Sequence, residues 1–188
     1  MALSSRLKYY EDVNLGRVFL GSTAVAGVVP PIFSNTAQTF ALWNPFGSGK
    51  NIVPIKLQAG YVSTTGAAGN LALAYNAAAG ANVATAAPIA AGTFAAPVNA
   101  LLGGGGNSSI AKFAPATVTF TAAPLFLRTL GMSQLVTTAA DATTTPWTLE
   151  TDFDGSLVLA PGAIICVAGN IATLSVWNFA MTWAEIDA

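Results

Sequence analysis

Alternation of apolar and polar residues narrows the fold of this 188-residue chain more than any other feature. In "VPIKLQAGY", Val53, Ile55, Leu57, Ala59 and Tyr61 stand against Lys56, Gln58 and Gly60. A period of two is the signature of a strand with one face buried. Pro54 lacks an N–H, so it belongs at an edge or a bulge. "NLALAY", "TVTFT" and "PLFLRTL" read as further strands. The last third reads as a meander, with turns at Asp154–Gly155, Pro161–Gly162 and Gly169–Asn170. It ends in a strand with Trp177, Phe179, Met181 and Trp183 on one face and Val176, Asn178, Ala180 and Thr182 on the other. No long segment repeats at the helical period, and Gly80, Pro88, Gly92 and Pro97 interrupt the Ala-rich stretch 77–100. The expectation is an all-β chain: a β-sandwich or jelly-roll-like single domain over 36–188, preceded by an N-terminal arm over 1–35.

Only 8% of the residues are charged, against ~25% in an average globular domain. A free-standing globule needs ions on its surface for solubility. So poor a supply points to a surface covered by other subunits, whose contact regions are depleted in charge. The bland alternative is a neutral skin of Thr, Ser, Asn, Ala and Gly. A net charge of −1 speaks against a nucleic-acid partner. All seven bases lie before position 129, whereas the last sixty residues carry six acids and no base. Either the two parts pair within one fold, or they attract each other between neighbouring copies.

Cys166 is the lone cysteine, which excludes an intrachain disulfide and suits a small core residue. Residues 160–184 are uncharged and long enough to span a bilayer, but Pro161, Gly162, Gly169 and Asn170 break them and only acids flank them. Glu11 and Asp12 precede any apolar run, which argues against a signal peptide. No membrane partner is expected.

"NPFGSGKN", Asn44 to Asn51, resembles a phosphate-binding loop only superficially. That motif needs Gly where Asn44 stands, a hydroxyl where Asn51 stands, and a helix afterwards. A turn between strands, with Gly47 and Gly49 free to take positive φ, accommodates every residue.

Without histidine, neither a Ser–His triad nor a His-ligated metal can form. Glu150, Asp152 and Asp154, two apart, would share one side of a strand. They are weak calcium candidates, or a carboxylate pair for glycan hydrolysis if a solvent-filled cleft converges on them. A solvated strand end is the simpler reading. No cofactor is expected, and no enzyme activity. The aromatic stripe would stack on sugars if exposed, but at strand spacing it reads as core or subunit contact.

Three stretches carry a resemblance: "YYEDVNLGRVFLGSTAVAGVVPP", "FALWNPFGSGKNIVPIKLQAGYVS" and "DGSLVLAPGAIICVAG…VWNFAMTWAEID". With the Asn44-Pro45-x-x-Ser48-Gly49-Lys50 turn, "NALLGG", the late Pro-Gly turn and the Trp183-x-Glu185 ending, most of the chain resembles small virion structural proteins of tailed bacteriophages. The resemblance implies a β-sandwich or jelly roll in a symmetric assembly, often a capsid cement or decoration trimer. Its implied partners are copies of itself and the major capsid protein or other virion proteins, within a particle assembled in the host cytoplasm. No site residue carries over, since the shared motifs are turns and strands. Arg6, Lys8, Arg17, Lys50, Trp177, Phe179 and Trp183 are the expected subunit contacts. The alternative is a tail-fibre, receptor-binding β module whose loops 76–109 or aromatic stripe touch host glycan.

Overall fold

The computed structural model describes residues 8–34, 36–63, 69–76, 89–104, 106–133, 148–172 and 174–188. Within them the chain is all-β, as the alternation requires, apart from one short helix, α1 (Tyr10–Asn14). Sheet A has the order β11 (Thr148–Asp152), β4 (Lys50–Ser63), β13 (Val176–Asp187), β1 (Val18–Ser22), β7 (Val98–Asn99). Sheet B has the order β10 (Leu125–Ser133), β5 (Gly69–Asn76), β12 (Ile164–Gly169), β3 (Ala41–Trp43), β8 (Lys112–Ala114). A small sheet C is formed by β2 (Ala37–Gln38), β9 (Val118–Phe120) and β6 (Ile89–Gly92). Neighbouring strands are antiparallel in every sheet.

Sheets A and B enclose the main core. The inward face of β13 supplies Trp177, Phe179, Met181 and Trp183, each at most 1% exposed. They meet Phe19, Phe40, Leu57, Phe113, Leu71, Leu73, Ile165 and Val167. Trp183 lies between Phe19 and Phe113, with ring centroids 6.4 and 6.2 Å away. The alternation in β13 therefore describes a sheet with one face in the core, and Val176, Asn178, Ala180 and Thr182 face outward, half-buried.

The other sheet differs. Every residue of β12 is buried, because sheet B is covered on both faces. On its outer side Ala41, Ala74, Ala114, Ile164, Cys166 and Ala168 pack with Val118 and Phe120 of sheet C. "IICVAG" is an unbroken apolar run for that reason, as expected for a strand with no solvent face.

β4 corrects the expected facing. Its register against β13 shifts so that Trp183 pairs with Pro54 and Thr182 with Lys56, leaving Ile55 as the extra residue. The bulge reverses the parity of the strand. Leu57 and Ala59 join Ile52 in the main core, while Ile55 joins Val18 and Ala184 on the outer face beneath Tyr9 and Val13 beside and within α1. Pro54 thus sits at a bulge inside a central strand, where a missing N–H is tolerated.

The expected arm over residues 1–35 also needs correction. β1 lies inside sheet A between β13 and β7, with Val18 and Phe19 buried. Val28 bridges Trp177 and Ile32 bridges Gly169, so this stretch belongs to the sandwich. Only two of the five residues of β1 are fully buried, too few for a visible alternation.

Candidate functional site

The turn at 44–51 is held by its own side chains. Asn44, fully buried, donates from Nδ2 to the carbonyls of Lys50 and Leu159, both at 2.8 Å, and its Oδ1 accepts from Ser48 Oγ at 2.7 Å. Its backbone is bonded to the Pro161–Gly162 turn through Gly162 N and Ala163 O. Gly47 and Gly49 take φ of 70° and 68°, the left-handed region that favours glycine. Asn44, which breaks the nucleotide motif, is the residue that ties these two turns together.

The acidic residues are answered by lysines of the same chain. Glu150 and Asp152 project from the exposed side of β11, opposite Gln58 and Lys56 of β4. Lys56 Nζ lies 3.4 Å from Glu150 and 3.5 Å from Asp152, and Gln58 Nε2 donates to Glu150. Asp154, at the next turn, pairs with Lys8 and accepts from Tyr9 at 3.3 Å. The Gln58 hydrogen bond, then Lys56, holds the Glu150 carboxyl below its ordinary value; the Lys8 hydrogen bond does so for Asp154. Lys56 and Lys8 are correspondingly raised, chiefly by their hydrogen bonds to Glu150 and Asp154. The three carboxylates, weak calcium candidates in the sequence, are instead shared between two lysines of the same chain, Glu150 and Asp152 with Lys56 and Asp154 with Lys8. Among the described residues no group of three or more His, Cys, Asp or Glu comes together to hold a metal.

A groove lies on the outer face of sheet A. That groove, about 390 Å³, is lined by Ser22, Thr23, Gln58, Gly60, Thr148 and Asn178, among others, and by none of the three acids.

The expected contacts divide in two. Trp177, Phe179 and Trp183 are covered by their own chain, so they cannot touch a partner or stack on a sugar. Their large side chains fill the space between two long sheets, which is where strand spacing directs them. Arg17 is exposed, Lys50 is half-buried at the end of the 44–51 turn, and Lys8 is exposed while paired. Arg6 and residues 77–88 of the expected glycan loops lie outside the described residues.

Two features escape the sequence reading. One is Glu185, 1% exposed, whose carboxylate accepts from Ser109 Oγ, from Ile110 N at 3.1 Å, from Ala111 N at 3.3 Å and from Trp183 Nε1 at 3.3 Å. A buried carboxylate with four donors is satisfied without a cation, and here it fastens the segment after the glycine loop to the end of β13. It is no subunit contact, although it belongs to the acidic C-terminal part. The Trp183-x-Glu185 spacing was visible, but nothing in it identified Ser109 as the partner. The other is the cluster of exposed apolar residues on β10: Leu125 at 53%, Phe126 at 59%, Leu127 at 37% and Met132 at 61%. The run "PLFLRTL" showed a strand; its position at a sheet edge depended on the topology. Cys166 is fully buried, and burial pushes its thiol well above the ordinary value, which makes it inert.

Among the described residues no helix is long and apolar enough to cross a membrane. No protein-family model matches the chain, and no curated protein and no solved structure matches it either.

Proposed function

We propose that the chain is a structural subunit of a bacteriophage particle, a capsid-associated cement or decoration protein that associates with copies of itself. The observation that carries the reading is the character of the exposed surface. Lys8, Lys56, Glu150, Asp152 and Asp154 pair within the chain and Glu185 is buried, which depletes an already small stock of ions. Large apolar side chains are exposed meanwhile, including Val25 at 89% and Leu102 at 75%. Exposed apolar residues on a nearly neutral protein favour burial by partners. The resemblance of the turn and strand motifs to tailed-phage virion proteins supplies the setting.

In this reading the mechanism is mass action: a subunit that binds only the assembled shell stabilises it by its binding free energy. The major capsid protein is the second partner, and trimerisation is the expected closure. Light scattering on the purified chain tests the first step. A homo-oligomer at micromolar concentration is expected, and a monomer throughout that range overturns the reading. Imaging particles with and without the protein tests the second.

A further inference from the structure

We propose that β10 is a self-pairing edge, through which two copies join sheet B to sheet B across a twofold axis. The inference rests on the self-association reading and names the surface that would carry it. Among the described residues β10 has β5 as its one ladder partner; β11 approaches it, with Leu149 against Gly131, without pairing, so those residues leave backbone N–H and C=O groups on its other side without a strand partner. Such an edge is a template for another strand, and proteins usually blunt it by shortness, charge, proline or a bulge.

The other five sheet edges are blunted. β2 and β7 have two residues each, β8 three and β6 four. β8 also begins at exposed Lys112 and is bridged by Ala95, whose N–H donates to Phe113 O at 2.8 Å. β11 has five residues and carries Glu150 and Asp152. β10 is nine residues long, with no lysine, acid or proline. Two register irregularities are its one blunting device, and Phe126 meets Phe33 edge-on, yet Leu125, Phe126, Leu127 and Met132 remain exposed. Its one ion, Arg128, has its guanidinium 4.3 Å from the centre of the Phe153 ring.

The occupant follows from count and charge. Head-to-tail pairing needs two different open edges on one molecule, whereas a twofold contact needs one used twice. With Arg128 drawn onto Phe153, antiparallel self-pairing sets no like charges opposite each other, and a partner selected by charge finds nothing on β10 to read. Nine residues span about 30 Å, and one strand's width along that length covers less than the ~800 Å² per partner of a standard stable interface. The contact is accordingly a weak, concentration-dependent link, distinct from the rotation that would close a trimer.

Sedimentation across a concentration series, comparing the native chain with the double variant Phe126→Lys, Met132→Lys, tests this. Both positions are exposed, and near-UV dichroism of the buried tryptophans checks folding. Association through β10 should weaken by at least about tenfold, because lysines would face an apolar strand. Thr129→Cys, exposed near the middle of β10, should form an intermolecular disulfide on mild oxidation, with buried Cys166 silent. If the double variant associates like the native chain, or Thr129→Cys does not cross-link where the native chain associates, the edge inference fails alone. If the native chain never associates, the proposed function fails with it.

Discussion

The two apolar layers on either side of sheet B are built from different materials. Between sheets A and B lie two tryptophans and phenylalanines 19, 40, 113, 153 and 179. Between sheets B and C lie four alanines, Cys166 and Ile164, closed by Val118 and Phe120, with Phe33, Trp43, Ile89 and Phe94 half-buried at the margin. Long paired strands such as β4 and β13 carry large residues that fill the wide gap between two extended sheets. The short strands of sheet C bring fewer large residues, chiefly Val118, Phe120 and Ile89, and they meet mostly small side chains of sheet B: Ala41, Ala74, Ala114, Cys166 and Ala168. Part of the chain's alanine, which suggested a neutral skin, is therefore interior. The wide layer depends on filling space and the thin one on keeping space free.

Opposite substitutions should separate the two. Trp183→Ala empties the centre of the wide layer between Phe19 and Phe113, and should cost about 3–5 kcal/mol by urea unfolding. If its cost falls below that of any alanine-to-leucine change in the thin layer, the contrast is broken. Ala168→Leu adds bulk where little room exists and should cost about 1–3 kcal/mol in the same assay. A neutral or stabilising result would reveal slack beneath sheet C.

The smallest effect concerns ions outside both layers. Glu150 and Asp154 have carboxyls held below their ordinary values of 4.5 and 3.8, so their pairing stabilises the protein above those values. That contribution is lost as pH falls through the depressed folded values. Because the pairs are exposed, thermal melts should shift only slightly on acidification through that window, and less in high salt. A large, salt-insensitive loss there would mean that these pairs support the wide layer.

Much of the sandwich was legible because its long strands have one dry face each. Trp177, Phe179, Met181 and Trp183 recur at every second position, and burial follows that rule along β13. Legibility fails where a strand is short or has two dry faces. β1 shows only Val18 and Phe19, and "IICVAG" has no polar member to mark a face. The bulge at Ile55 was signalled by Pro54, but its effect on parity depended on where β13 resumes pairing. The site was less legible than the fold. Opposite charges in the two parts of the chain were plain, whereas Lys8 meeting Asp154 and Lys56 meeting Glu150 are products of topology. Glu185 was visible only as one of the C-terminal acids, because three of its four donors, on Ser109, Ile110 and Ala111, lie about seventy-five positions away.

Asn44 has a mechanical consequence. Its amide joins the start of β4 in one sheet to the chain at Leu159, while its own main chain continues from β3 in the other. The two sheets are thus fastened at this pole by one short side chain in addition to the turn itself. Sliding of one sheet over the other at this pole would have to break several polar bonds at once.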